Sequence, residues 1–302
     1  MTLLTSVVII AYAGFVQWLW GWAEIAGQWA RLGIGHVLIA VLLLTSTYFL
    51  RTWRIRDYFP YETAGRYAAL FRVTQIHNIV NIMLPFRAGE TSFPMLMRSE
   101  FGIPLLRGTS ALLVMRLLDL HALLAAAVLG PVLQAQNPAL GWGLWIVFLL
   151  LPLAGFALRA TLLRGAARIV PGKAQKFVVE IGLGLPTDLP AFARAWGMTI
   201  VNWLVKVLVL AWVLGLLGVG PLAATFGAAL GGEMSSVLPM HAPGGVGTYP
   251  AGITAGAIAF GARSVTSVDT LAQAGVNVHL LILVSALIGT ALSLLTGRKP
   301  RI

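Results

Sequence analysis

The sequence predicts an all-α polytopic membrane protein, with about six spanning helices and two opposed re-entrant helical hairpins in an inverted repeat. Three observations carry this prediction. Of 302 residues, 58% are hydrophobic and 10% charged, with a mean hydropathy of +0.86, whereas a soluble domain needs a polar surface. Several runs are long and apolar enough for a hydrocarbon core of roughly 30 Å. Finally, "NIMLPFRAGE" (Asn81 to Glu90) returns in outline as "SVLPMHAPGGVGTYP" (Ser236 to Pro250) in the other half of the chain.

The expected spans are Leu3–Trp22, Gly35–Leu50, Gly108–Gly130, Ala139–Leu158, Trp196–Leu217 and Asn277–Thr296. Met1 to Trp22 lacks a basic leading region and an A-x-A-like site, so no cleavable signal peptide is expected. The net charge of +11 gathers in segments flanking apolar runs. These are Arg51, Arg54 and Arg56, then Arg159, Arg164, Arg168, Lys173 and Lys176, and finally Arg298, Lys299 and Arg301. Such clusters mark cytoplasmic loops. The charge therefore sets orientation, with both termini cytoplasmic, and implies no nucleic-acid partner. Cysteine is absent, which excludes disulfides, iron–sulfur clusters and thiol catalysis.

Between the first two basic segments the chain crosses an even number of times, and Gly108–Gly130 with Ala139–Leu158 supply two crossings. The stretch from about 67 to 104 must then enter and leave on one side. Between Lys176 and Arg298 the same parity leaves about 221–262 as a second hairpin. The organisation is a single transmembrane domain over 1–302. Its first half, 1–160, and second half, 195–302, each hold one hairpin, and a basic cytoplasmic linker covers about 159–194. The alternative is two ordinary pairs of spans, with one basic loop breaking the positive-inside rule. Irregular backbone at membrane depth survives only where protein or water satisfies it, so two opposed breaks are expected to meet at an interior cavity.

The candidate residues follow from the cost of polar groups in a bilayer. Arg87 and Glu90 beside the first break, and Arg116 and Asp119 in "MRLLDL", are i, i+3 pairs that share a helix face. Ionised groups there cost roughly 2.5–3.5 kcal/mol on insertion scales, so they point inward and pair. An arginine with spare donors also holds a phosphate bidentately; a purely structural ion-pair network is the competing reading. Asn78 and Asn81 line the same arm. Lys206 and Glu233 are the ionised residues of their segments and are expected to pair with each other or to couple protons. His241 takes the place of Arg87 in the second break. Pro85, Gly89, Pro239, Pro243, Gly244, Gly245 and Gly247 shape the two tips. No metal site, cofactor motif or nucleophile signature is present in the sequence, so no cofactor and no intrinsic ATPase are expected.

"NIMLPFRAGE", "GTSALLVMRLLDLHALL" and "LPMHAPGGVGTYP", in that order, resemble the lysylphosphatidylglycerol synthase transmembrane family. This is the flippase-like region of the multiple peptide resistance factor proteins, which also occurs as a stand-alone form. The resemblance runs from about Arg51 onward. It implies a bacterial inner-membrane protein associated with lipid translocation, with family elements on Asn81, Pro85, Arg87, Gly89, Glu90, Arg116, Asp119, Pro239, Pro243, Gly244, Gly245 and Gly247. One departure stands out: the glutamate that commonly follows Pro-Gly-Gly would fall near Pro250 and is absent. With "TGRKPRI" as the last residues, no aminoacyl-transferase domain is expected, and the protein is not expected to synthesise aminoacylated lipids.

The leading expectation is a lipid transporter or flippase, not an enzyme, that moves an anionic or polyprenyl-phosphate headgroup through the cavity between the hairpins. Its partners are membrane lipids, and 33 glycines permit the close helix contact of a homodimer. The alternatives are a membrane-embedded enzyme on a lipid-linked phosphate or sugar, with Glu90 or Asp119 as general base, and a non-catalytic scaffold.

Overall fold

The structure, a computed structural model, describes residues 2–170, 172, 175, 182–237 and 242–296. Among the described residues every regular element is helical and no strand occurs. The first helix, α1 (Thr2–Leu19), meets α2 (Trp22–Leu32) at an 80° bend. Five helices are long and apolar enough to cross a membrane: α3 (Ile34–Tyr58), α6 (Leu105–Leu133), α7 (Pro138–Ala157), α9 (Leu189–Leu216) and α12 (Val268–Thr296). The bent pair makes a sixth if it counts as one span. The five coincide with five of the six predicted runs, and the sixth run, Leu3–Trp22, falls on α1 and the bend into α2, since each run was found by the same length and hydropathy that the bilayer demands. The chief difference is α3, which continues past Leu50 and carries Arg51, Arg54 and Arg56 within the helix.

Shorter helices complete the chain: α4 (Tyr67–Met83), α5 (Ser92–Phe101), α8 (Arg159–Ile169), α10 (Leu222–Val237) and α11 (Thr248–Ala259). Several ends are written locally. Asn137 accepts from the Leu140 amide at 3.1 Å, with Pro138 in the first turn of α7, and Asp188 accepts from the Ala191 amide at 2.8 Å to open α9. Each satisfies an amide that the helix leaves without a partner. Gly102 ends α5 in the left-handed region, φ 71, donating to the Arg98 carbonyl at 2.9 Å, as a C-terminal glycine does.

The chain divides into two compact units. The first holds Met1–Tyr48, Gln75–Glu90 and Leu204–Thr296. Within it α10 and α11 pair along glycines. A Cβ on Gly231 would lie 2.1 Å from the Gly252 carbonyl oxygen, and one on Gly256 would lie 2.1 Å from that of Gly227. Their backbones touch because no side chain intervenes. With 16 and 12 residues, these helices rise about 24 and 18 Å, short of the roughly 30 Å hydrocarbon core. Val16, Ile25 and Val276 form a small apolar cluster under Tyr12, Trp20 and Trp22.

The second unit holds Phe49–Thr74 and Thr91–Trp203. Its core gathers Tyr58, Phe59, Leu70, Phe93, Met97 and Met115. Trp196 is buried at 2% exposure, with its ring 5.6 Å from that of His121.

Candidate functional site

The first unit contains a polar cluster built on broken backbone. Pro85 has no amide hydrogen to extend α4, and the chain turns through Phe86 and Arg87, which sit in the left-handed region at φ 52 and 55. Each costs about 1–2 kcal/mol for a residue with a Cβ. The turn brings Gly89 against α4, where a Cβ would lie 2.5 Å from the Asn81 Cα; only glycine fits. Phe86 points out, 77% exposed, while the Arg87 side chain points in and is 9% exposed.

Arg87 donates from Nε to Glu90 Oε1 at 2.8 Å and from Nη2 to the same oxygen. Its Nη1 donates to the backbone carbonyl of Ser236, at the end of α10. The Ser236 hydroxyl in turn donates to the Glu233 carbonyl at 2.7 Å and approaches Glu233 Oε2 at 3.4 Å. Glu233 is fully buried. It takes Lys206 Nζ at 2.7 Å and the Tyr249 hydroxyl at 3.0 Å, and Tyr249 stacks on His279 with ring centres 5.3 Å apart. One hydrogen-bonded series thus runs from the first break through Ser236 to Glu233, Lys206 and the start of α11.

The first unit buries further polar groups. Gln75 is fully buried, and neither atom of its amide has a partner among the described residues. Asn81 Oδ1 is shielded and lacks a donor among the described residues. His77 is buried and Asn78 half-buried on the same arm. Pro243, Gly244 and Gly245 form a buried 3₁₀ turn with Gly244 left-handed at φ 66. Thr248 Oγ1 ties this turn together by accepting from the Ala242 amide at 3.3 Å and donating to the Gly245 carbonyl at 3.2 Å. Pro239 and His241 lie outside the described residues.

The second unit contains a different cluster, on unbroken helices. Asp119, 2% exposed, receives Arg54 Nη1 at 2.5 Å and Trp203 Nε1 at 2.9 Å on Oδ1, and Arg116 Nη1 at 3.1 Å on Oδ2. Arg54 also donates to Thr199 Oγ1 at 3.1 Å, and Arg51 to Asn202 Oδ1 at 3.1 Å. Arg72 and Arg66 bridge Glu100 at 3.1 and 2.7 Å, and Arg107 bridges Glu62. The Arg87–Glu90 and Arg116–Asp119 pairs are therefore both made, each within its own unit. Among the described residues no group of three or more His, Asp and Glu is arranged to hold a metal ion.

The breaks, the Arg87–Glu90 pair and the Pro-Gly-Gly turn fall inside a match to the family model described as "Lysylphosphatidylglycerol synthase TM region", which covers residues 3–289. The chain belongs to this family. No curated protein and no solved structure matches it. Membership in the lysylphosphatidylglycerol synthase transmembrane family, together with the apolar helices, makes this a multi-pass membrane protein of a family with a lipid-related function.

Four contributors carry little signal in the sequence. Arg54 reads as one of three loop arginines, yet it is 6% exposed and grips Asp119. Its position three residues after Arg51 and four before Tyr58 is the available signal, because that spacing continues the face of α3. Trp203 and Tyr249 look like ordinary apolar aromatics until their polar atoms are traced to Asp119 and Glu233. Ser236 acts through a backbone carbonyl, which no side-chain pattern announces.

Proposed function

We propose that the protein moves an anionic or phosphate-bearing lipid headgroup across a bacterial cytoplasmic membrane, and that Arg87 at the first break is the headgroup's principal contact. The observation that carries this reading is Arg87 itself. Its inward guanidinium donates to the Glu90 carboxylate and to the Ser236 backbone carbonyl, partners that a phosphate can replace with bidentate, charge-assisted bonds. The unsatisfied amide of Gln75 and the Asn81 oxygen support a polar path beside it, because buried polar atoms call for partners.

The two breaks act as opposed re-entrant hairpins related by an inverted repeat. A correspondence in local packing supports this. α5 begins Ser92-Phe93-Pro94 and α11 begins Thr248-Tyr249-Pro250. Both aromatics are buried, at 1% and 3% exposure. Both prolines sit under a glycine of a later helix: a Cβ on Gly108 would lie 3.1 Å from the Pro94 Cα, and one on Gly275 3.1 Å from the Pro250 Cα. Broken helices in corresponding places of two halves form binding sites in inverted-repeat transporters. The segments holding Arg51–Arg56 and Arg159–Arg168 face the cytoplasm. An enzymatic reading with Asp119 as base finds no support, since three donors already occupy that carboxylate.

The test is headgroup translocation in proteoliposomes with fluorescent anionic, zwitterionic and polyprenyl-phosphate lipids. The phosphate-bearing anionic class should move, and Arg87→Ala and Glu90→Gln should abolish the movement at equal folded yield. Wild-type rates from Arg87→Ala would overturn the assignment.

A further inference from the structure

Away from both carboxylate clusters, the second unit leaves one helix with two unlike exposed edges. α7 has 20 residues, which rise about 30 Å and take up the whole hydrocarbon core, so α8 begins where the core ends. α8 follows directly, reads RATLLRGAARI, and holds three arginines and no acid. Its inner side is fixed to the unit. Arg159 donates to the Phe156 carbonyl at 3.1 Å and to the Thr187 carbonyl at 3.2 Å, and a Cβ on Gly182 would lie 3.1 Å from Leu163 Cδ1.

Along one outer edge, Leu158 at the head of α8 is 58% exposed, Leu162 59% and Ile169 86%. The spacing i, i+4, i+11 keeps the three on one stripe of a helix. That stripe continues a pattern from α7, where Leu144, Val147 and Leu151 are exposed at i, i+3 and i+7, and Leu158 follows Leu151 by seven. Phe156 is the one buried residue of α7, so the exposed face of this apolar helix meets acyl chains. Apolar side chains gain from leaving water, and the lipid that covers Leu151 lies next to the stripe on α8.

The other outer edge carries charge. Arg164 and Arg168, at i and i+4, are both exposed, roughly 120° around the helix from the apolar stripe. Arg164 bonds to the Ala160 carbonyl and the Thr161 hydroxyl of its own helix, at 3.1 and 3.4 Å. The paired acids of this unit, Asp57, Glu62, Glu100 and Asp119, hold other arginines. Between the two edges a Cβ on Gly165 would meet nothing within 4 Å, so this side faces outward. A helix with arginines on one edge and leucine and isoleucine on another is suited to lie in the plane of a membrane surface.

We propose that α8 lies along the membrane surface and binds anionic phospholipids there, with Leu158, Leu162 and Ile169 among the outer acyl segments and Arg164 and Arg168 on the headgroup phosphates. Phosphatidylcholine offers the same phosphate already balanced by its own choline, so the two arginines favour lipids of net negative charge. The assignment concerns a surface of the second unit and does not rest on headgroup translocation at Arg87.

The chain has no cysteine, so full-length Leu162→Cys and Ile169→Cys proteins in nanodiscs each take a single label. A spin label at either position should collide more with oxygen, which concentrates among acyl chains, than with a water-soluble nickel chelate. A fluorophore on Ile169→Cys should be quenched at least about fivefold more, per mole, by brominated phosphatidylglycerol than by brominated phosphatidylcholine, both dilute in phosphatidylcholine. Arg164→Gln combined with Arg168→Gln should bring that ratio close to one; both side chains are exposed, so this variant tests binding rather than folding. A nickel preference at both positions would show α8 standing in water, and protection from both reagents would show a second copy or another protein on the stripe. Either result overturns the proposal, as do equal quenching by the two lipids and a ratio undiminished in the double variant.

Discussion

Two carboxylate clusters of similar composition are built on opposite kinds of backbone. In the second unit, Asp119 sits on α6 and its partners Arg54, Thr199 and Trp203 come from α3 and α9, all regular helix. In the first unit, Arg87 and Glu90 stand on a left-handed turn, and their next partner is a backbone carbonyl. A carboxylate whose donors project from continuous helices is suited to hold those helices together. A guanidinium on a strained turn, held partly by a carbonyl that any oxyanion outcompetes, is suited to exchange partners. Backbone regularity, more than residue type, sets the two ion pairs apart: one stands on continuous helix, and the one proposed to meet substrate stands on a strained turn.

The largest expected effect falls on the regular cluster. Asp119→Asn leaves Arg54 buried without its counter-charge and should cost about 3–5 kcal/mol, read as a lower unfolding temperature and folded yield; a loss under about 1 kcal/mol would remove the structural reading. Next comes the glycine seam, where Gly231→Val places side-chain atoms on the Gly252 carbonyl. Such overpacking costs about 1–3 kcal/mol or more, and scanning calorimetry should detect it. On the broken side the balance reverses. Arg87→Lys keeps the charge and loses the bidentate fork, so translocation should fall about tenfold while thermal stability stays within about 1 kcal/mol of wild type.

Phe86→Gly should relieve left-handed strain and stabilise by up to about 1 kcal/mol, since the phenyl ring is exposed; destabilisation would show that the ring packs on something essential. The smallest effect concerns pH. The Ala191 amide holds the Asp188 carboxyl below its ordinary range. Its contribution is therefore present above the unfolded-state value and is lost as pH falls through the folded one. Asp188→Asn, which still caps the helix, should flatten this acid-side decline and leave neutral pH unchanged, as melting curves from pH 2 to 7 would reveal.

Much of this was legible beforehand because the bilayer enforces simple rules. Six apolar runs became five candidate spans and one sharply bent pair, and the Leu-Pro break after Met83 did interrupt a helix, because proline offers no amide to continue it. The Lys206–Glu233 pair followed from the cost of lone charges. Less could be read at α3, where hydropathy fell at Arg51 although the helix continued. An arginine is tolerated in a helix whenever a partner waits on a neighbour, and that partner, Asp119, lies 65 residues away. The elbow helix α2 escaped notice for a related reason: it is amphipathic, and its polar face finds partners only when α12 supplies Gln273 and Asn277.

The sequence by itself determined the class, the spans, the breaks and the family, since each depends on local composition or on residues adjacent in the chain. Tertiary structure decided which charges stand on regular helix and which on a strained turn, that Ser236 links the first break to Glu233 through its carbonyl and its hydroxyl, and that Gln28, Gln273 and Asn277 bond one another beside the bend. Those outcomes depend on distances between residues far apart in sequence, and the burial that makes each pairing matter exists only once the helices have packed.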